Sequence, residues 1–586
     1  MSKLRSLNQE FISNIKTHNL VTDSKRNLIL SILKSTTTKR EAKNYLNKYQ
    51  NQFDFTQKNR YYNPLLNKES QRELFVNRFL NRQNPFSNIY NDEELYPEED
   101  IKVSKIPLRI AIFKIKFQTI SKFEWKGIFE TFKRLIHLGI SPIILLDYEN
   151  TSISSFKLSE SKVNQQINKA YADMDGLEGT NGGGDFKITH LRSLYSVNQS
   201  NELVIDNLEM LLLPLYQDII PIIHPVIYNS ISTYQEFTTG DDDLLKTLSE
   251  SLMNTKGLLS IEKIILIDPI GGIPSVERNQ TSHVYINLSQ EYSDIISELF
   301  IGYIEPSKRD LHLKNLNVMN EILHMISTKS GNDDTTGIIT TPYIMSINND
   351  QLNPIIYNVL TDRPIISSSL PSTNNNTPRL STSILKKGID VQIFDQNNYH
   401  RKLNFKSLSD DGLIDMDKLI ALINDSFGKE LDAENYFKRV ENNLATLIIL
   451  GDYDGAAIIT WETIDDPHSK DQSEKIKVAY LDKFVIAKKN QGLPSLADII
   501  FKIVLQSHPY ELIWRSRKNN PVNKWYFERC CGSLSNPDSQ WKIFYTGELF
   551  NKKIDKMRKR TPESVDIGKK MVDYSNICEG IVPSFK

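Results

Sequence analysis

Cysteine is nearly absent from this 586-residue chain, which holds only Cys530, Cys531 and Cys578. That excludes a disulfide scaffold and a Cys-rich zinc site, and it suits a reducing interior compartment. Net charge is lacking as well. The 71 Lys+Arg against 72 Asp+Glu leave −1, so nothing supports wholesale nucleic-acid binding, which needs a clustered positive field. Long apolar runs are missing too. The best stretch, Leu211–Tyr228, is broken by Gln217, Asp218, His224 and prolines, short of the roughly 20 apolar residues that span a bilayer. What is present suits a multidomain globular protein: 39% hydrophobic residues and 24% charged residues of balanced sign.

The charge is not evenly spread. The first fifty residues carry ten Lys/Arg and three acids and are rich in Ser, Thr and Asn. Basic, hydroxyl-rich and acid-poor is the composition of a mitochondrial transit peptide; a basic helix of the mature protein, centred on Lys39–Tyr49, is the alternative. Residues 1–95 are read as this basic N-terminal region.

From about Pro107 the texture becomes strands alternating with helices. A strand at Leu108–Phe113, a helix at Trp125–Leu138, Gly139 as its cap and a strand at Pro142–Asp147 make a β-α-β unit, which predicts a parallel sheet. Further strands are expected at Met210–Leu215, Ile219–Tyr228, Lys263–Ile267, His283–Ile286 and Ile338–Met345. Ala172–Phe186 reads as a mobile Gly/Asp-rich insertion. The Ser/Thr/Asn/Pro-rich segment 367–383 reads as an exposed linker between this domain (96–366) and a mixed α+β domain at 384–560, followed by a tail at 561–586. In the second domain, helices are expected at Met416–Phe427, Asp432–Asn442, Ser495–Gln506 and Pro521–Arg529. Strands are expected at Ala445–Leu450, Ala456–Trp461, Lys477–Ile486, Glu511–Arg517 and Trp541–Thr546. Asp454-Gly455 signals a hairpin turn.

Chemistry concentrates in that second domain. Arg515 and Arg517 lie two apart on a strand and share a face, where guanidinium forks suit a carboxylate; a strand end fraying into water is the plain alternative. Asn520-Pro521 sets a turn, and Tyr526 is either a core aromatic or a hydroxyl donor. The strand ending at Tyr480–Phe484 runs into a loop, Gln491–Ala497, at a helix start, an arrangement that presents backbone N–H groups to a pyrophosphate.

Strand, pyrophosphate-type turn, helix, splayed strand and aromatic-bearing helix form the order of Gcn5-related N-acetyltransferases. The strings YLDKF (Tyr480–Phe484), the segment Glu511–Ser533 and WKIFYTG (Trp541–Gly547) resemble the C-terminal domain of fungal and vertebrate-type N-acetylglutamate synthases. Upstream, Lys263–Ser275, His283–Glu291 and Leu360–Pro371 resemble the amino-acid-kinase-like domain of the fungal mitochondrial family, and Lys39–Tyr49 resembles its N-terminal segment. The fold class implied is α/β, an amino-acid-kinase-like parallel-sheet domain followed by an α+β acetyltransferase domain.

The resemblance implies acetyl transfer from acetyl-CoA, a co-substrate rather than a resident cofactor, to the α-amine of L-glutamate, the entry to arginine biosynthesis in the mitochondrial matrix. It places Lys429, Arg515, Arg517 and Asn520 on substrate-binding positions, and Tyr480 and Tyr526, with Lys429, on catalytic ones. Phe484, Val485, Gln491, Gly492, Ser495 and Ala497 fall on the acetyl-CoA strand and loop. No metal is implied. Ser495 and Ala497 stand where the family pattern has Gly-x-Gly/Ala, a departure in the pyrophosphate loop. The resemblance further implies arginine as feedback inhibitor, a homo-oligomer and a complex with N-acetylglutamate kinase. Glycines that would let ATP phosphate approach the first strand are missing from Ile110–Phe117, so the kinase-like domain is expected to keep its fold without phosphoryl transfer. Gly271-Gly272 reads as a tight turn rather than a phosphate cradle. An acyl-cysteine route through Cys530 or Cys531 is disfavoured by the lack of a neighbouring histidine. The competing readings are an active amino-acid kinase and a non-catalytic regulatory partner of that kinase.

Overall fold

The computed structural model describes residues 107–550 and 567–586, with interruptions at 117–119, 149–152, 176–186, 218, 230–235, 238–240, 256–258, 279–280, 303, 332, 349–352, 371–379, 466–474 and 493–494. The expected transit peptide, the Lys39–Tyr49 helix and Phe117 lie outside them, as does most of the Ala172–Phe186 insertion. The described chain divides into two compact units. One holds the residues up to Pro274 with Glu298–Ile365 and Leu380–Lys387; the other holds Ser275–Ser297, Ile366–Arg379 and Gly388–Lys586.

The first unit is built on a parallel sheet. Strand β1 (Leu108–Lys116) is buried on both faces from Ile110 to Ile115, as in parallel sheets covered on both sides. Helix α1 (Lys122–His137) starts in a capping box, with Ser121 and Glu124 each satisfying the other's amide. It buries Trp125, Phe129, Phe132 and Leu135. Then follow β2 (Ile140–Asp147), α2 (Ile153–Asp175), β3 (Lys187–Leu191), α3 (Glu209–Tyr216), β4 (Ile219–Ile223), α4 (Asp241–Met253), β5 (Leu259–Ile267), α5 (Pro306–Ser330), β6 (Thr336–Thr340), α6 (Pro354–Thr361) and β7 (Ser383–Lys386). Seven strands run β7-β6-β5-β1-β2-β4-β3, parallel throughout except for β7 against β6.

Two strand expectations are corrected here. Met210–Leu215 is helix α3: Leu211, Leu212 and Leu215 share its buried face while Met210 stays exposed, and a short apolar run has no period that distinguishes strand from helix. The strand expected over Ile338–Met345 stops at Thr340, where the Thr341 hydroxyl caps a helical turn over Pro342–Met345.

From Gly388 the second unit runs into β8 (Val391–Asp395). It continues through α7 (Met416–Phe427), α8 (Ala433–Val440), β9 (Leu444–Leu450), β10 (Gly455–Asp465), β11 (Lys475–Ile486), α9 (Leu496–Ser507), β12 (Leu512–Arg517), α10 (Asn523–Phe527), β13 (Gly532–Leu534), β14 (Trp541–Thr546) and α11 (Ile567–Gly580). Its sheet runs β8-β9-β10-β11-β12-β14-β13. All neighbours are antiparallel except β11 and β12. The expected hairpin joins β9 to β10 with Leu450 opposite Gly455. The segment read as a tail carries α11, whose Tyr574 and Cys578 are fully buried against Val478, Tyr480, Ile513 and Ile543. The segment read as an exposed linker is buried at its start: Ser369 and Ser367 accept hydrogen bonds from Arg529 at 2.6 and 2.8 Å.

Candidate active site

Strands β11 and β12 set the site by failing to stay together. They pair in parallel only at Ala479↔Leu512 and Tyr480↔Ile513, although β11 runs on to Ile486 and β12 to Arg517. Past that point β11 is laddered on β10 alone and β12 on β14 alone. Each strand therefore turns a row of main-chain N–H and C=O groups toward an open V, and buried amides of this kind demand a partner. A bulge marks the opening. Ile458 faces Lys483 and Ile459 faces Leu481, leaving Asp482 as the extra residue, the usual device for re-aiming side chains beside a site.

One flank of the V carries charge. Tyr480, Ile513, Arg515 and Arg517 share this face by alternation. Arg515 is half-buried and Arg517 exposed, and Trp541 lies beneath both guanidiniums at 4.2 and 5.9 Å. Beside them sits a cluster that the sequence reading left unassigned. Lys483, 5% exposed, donates to Asp482 at 2.6 Å. Arg439 of α8 bridges Asp482 and Glu462. Burial would raise the Asp482 carboxyl, but Lys483 and Arg439 outweigh it and hold it below the usual carboxylate range. Burial lowers the Lys483 ammonium against the opposing pull of Asp482. The signal for this cluster was the Asp482-Lys483 pair inside the otherwise apolar and aromatic stretch Val478–Ile486. Tyr480 is buried, and burial pushes its phenol well above the ordinary value despite Arg515.

The opposite flank is aromatic. Trp514, Phe544, Phe501 of α9 and Trp525 and Tyr526 of α10 interlock, with Trp525 stacked on Phe484 at 5.8 Å. Tyr526 is buried, and burial alone raises its phenol. Its hydroxyl has no hydrogen-bond partner among the described residues. The structure thus puts Tyr480 and Tyr526 on opposite faces of the sheet, with the V between them.

The other expected residues divide. Lys429 is exposed, just after the left-handed Gly428 that ends α7. Asn520 is consumed by its own turn, donating to the Ser516 hydroxyl at 2.8 Å and accepting the Val522 amide at 3.0 Å. Val485 is fully buried, whereas Gln491 donates to the carbonyls of Ile486 and Ser426 and so braces the loop before α9. Ser495 adopts φ +77°, and Gly492 φ +86°. Left-handed backbone is strained for serine and natural for glycine, so the departure at Ser495 keeps the glycine-type conformation. Ala497 lies in the first turn of α9.

In the first unit, the carboxyl ends of the parallel strands carry paired charges. Lys114 contacts Asp147 at 3.3 Å and Asp242 at 2.6 Å, and Lys116 contacts Asp268 at 2.7 Å. Ile115 on β1 is fully buried. The amides of Gly271 and Gly272 are used inside the fold, donating to Asp268 O and Ser381 O at 2.9 Å each. They make a turn and present no amide to a phosphate. Among the described residues no group of three or more His, Cys, Asp or Glu is placed to hold a metal ion, and no helix is long and apolar enough to cross a membrane.

Residues 404–564, which contain the V and both its flanks, match the family described as NAT, N-acetyltransferase, of N-acetylglutamate synthase. Over its whole length the chain is 63% identical to the mitochondrial amino-acid acetyltransferase of Scheffersomyces stipitis, covering 99% of that protein. It is 62% identical to that of Candida albicans, covering 100% of it. Among solved structures, N-acetylglutamate synthase from Neisseria gonorrhoeae, complexed with coenzyme A and L-arginine, aligns over 75% of this chain and 94% of its own, at 11% identity and a TM-score of 0.33. Full-length identity at this level leaves one assignment: the chain belongs to the mitochondrial amino-acid acetyltransferases, the N-acetylglutamate synthase family.

Proposed function

We propose that this acetyltransferase moves acetyl from acetyl-CoA directly to the α-amine of L-glutamate. The observation that carries the reading is the two-residue pairing of β11 and β12 with Arg515 and Arg517 along one flank. The open edge of β11 beyond Tyr480 supplies N–H groups for the thioester oxygen, where negative charge develops as the amine attacks. The loop Gln491–Ala497 and the start of α9 take the pyrophosphate. Glutamate has two carboxylates, and the guanidiniums of Arg515 and Arg517, with Lys429 at the end of α7, pair with them. Amine nitrogen bonds the acetyl carbon, the C–S bond breaks, the departing thiolate takes a proton from Tyr526, and the proton that the acylated nitrogen sheds passes through water to restore the Tyr526 hydroxyl. Burial keeps that hydroxyl protonated at neutral pH and leaves it without a competing partner.

The glycine-free strand β1 with its buried Ile115, and the Gly271 and Gly272 amides spent inside the fold, favour a kinase-like domain without phosphoryl transfer, whose role in this reading is to bind arginine as an inhibitor. Homo-oligomerisation, a complex with N-acetylglutamate kinase and residence in the matrix are further readings that rest on the family resemblance. The test is an assay of purified protein with glutamate and acetyl-CoA, and separately with N-acetylglutamate and ATP, following CoA and ADP. CoA release dependent on glutamate, without ADP, is expected. ADP formation, or neither product, overturns the reading.

A further inference from the structure

The chain beyond α11 lies outside the matched acetyltransferase region, which ends at residue 564, yet it reaches the charged flank of the V. Arg515 donates through Nη1 to the carbonyl of Cys578 and, at 2.7 Å, to that of Ile581. Cys578 lies in the last turn of α11, whose final carbonyls lack helical partners and carry the negative end of the helix dipole, and Ile581 follows directly after the helix. The segment then crosses to the loop after α7. Phe585 bridges Leu431 in antiparallel fashion, Ser584 O accepts the Asp432 amide at 3.0 Å, and the Lys586 amide donates to Glu430 O at 3.0 Å. Phe585 packs on Phe427 at 4.7 Å, and the Lys483 ammonium lies 5.7 Å from its ring centre. One short strap thus joins Arg515, Lys483 and the loop that carries Lys429.

A guanidinium has five N–H groups. Nη1 spends one of its own on the α11 carbonyl of Cys578 and the other on Ile581, where the strap begins. Trp541 covers a face of the group, and no described residue takes the hydrogens of Nε or Nη2. That remaining edge is the one that meets a carboxylate with two parallel hydrogen bonds.

We infer that Ile581–Lys586 is a positioning element of the acceptor site: its main chain fixes one corner of Arg515, the Nε–Nη2 edge is thereby presented to an acceptor carboxylate, and Phe585 closes the site over Lys483. The inference rests on the assignment of Arg515 to glutamate binding made above. Phe585 itself touches no substrate in this account; it acts through Arg515 and Lys483.

The test uses full-length Phe585→Ala, Phe585→Leu, Arg515→Lys and the Phe585→Ala/Arg515→Lys double variant. An oriented hydrogen bond to a charged group is worth roughly a factor of ten or more. Phe585→Ala is therefore expected to raise the glutamate KM about tenfold, with the acetyl-CoA KM unchanged and Phe585→Leu restoring most of the loss. On the Arg515→Lys background, which lacks the fork, Phe585→Ala should add less than about twofold. Fully additive losses, or equal rises in both KM values, overturn the strap's role while leaving Arg515 as a ligand. An unchanged glutamate KM in Arg515→Lys removes that ligand and the inference together. Should Phe585→Ala not fold, amide exchange on the unmodified chain decides. Saturating glutamate, but not acetyl-CoA alone, should slow exchange at Asp432 and Lys586; identical rates with and without glutamate overturn the inference.

Discussion

Replacing Tyr526 by Phe separates chemistry from packing more cleanly than any other substitution in this site. Ring centroids of Trp514, Trp525 and Phe544 lie 5.6, 5.5 and 5.4 Å from that of Tyr526, and phenylalanine keeps all three contacts. Only the hydroxyl is lost, and no described residue hydrogen-bonds it. With no hydrogen bond to lose and every ring contact kept, the variant should melt within a few degrees of the wild-type temperature. If the hydroxyl protonates the departing thiolate, its removal should lower kcat at least roughly tenfold, which is about 1.4 kcal/mol of transition-state stabilisation, within the usual 10²–10⁴ range for a positioned proton donor. Both KM values should stay within about threefold. Burial holds the phenol above its ordinary value, so no loss of this donor should appear in the wild-type rate from roughly pH 6 to 9. The assay follows CoA release at saturating substrates with melting curves measured alongside. A phenylalanine variant that turns over at near wild-type rate across that range would falsify the assignment, leaving Tyr526 a core aromatic and Tyr480 or water as donor.

Three further outcomes follow from the same geometry. Arg517→Ala, at an exposed residue whose guanidinium has only the Trp541 ring, 5.9 Å away, as a described side-chain partner, should raise the glutamate KM roughly tenfold or more with little change in melting temperature; parallel losses for acetyl-CoA would point to damage of the strand end. Ser495→Gly should relieve the φ +77° strain while giving up the side-chain hydrogen bond between Ser495 and Tyr285 and loosening the unfolded chain, so thermal melts should shift by less than about 1 kcal/mol with acetyl-CoA KM retained; a larger loss would mean that the serine hydroxyl outweighs the backbone strain. Burial pushes the Cys530 thiol up to about 11, which leaves little thiolate at neutral pH. Cys530→Ser with Cys531→Ser should therefore keep kcat within about twofold, and intact-mass measurement during turnover should find no acetylated enzyme.

Much of the second unit could be read from the chain. Period and caps located Met416–Phe427 and Trp541–Thr546 residue for residue. The strand ending at Arg517 fixed which side chains share a face. Local pattern failed where it carries no period, as at Met210–Leu215, and where a single hydroxyl ends a strand, as at Thr341. It also could not place Tyr480 and Tyr526 on opposite faces, because that depends on which strands become neighbours. The same holds for the partners of Arg515: Cys578 and Ile581 lie 63 and 66 residues away. Contacts closed over such distances leave no mark in nearby spacing. Asp482-Lys483 did leave one, since two charges inside a buried strand must be paired with each other or with something bound.

Direct transfer in a ternary complex is the centre of this account, and initial-rate kinetics reach it most directly. Glutamate and acetyl-CoA are varied together and CoA release is measured. An amine attacking a thioester while both substrates are bound gives intersecting double-reciprocal lines. Parallel lines, the pattern of an acetyl group parked on the enzyme between half-reactions, would contradict the account and return the cysteines of α10's C-terminal flank, Cys530 and Cys531, to consideration.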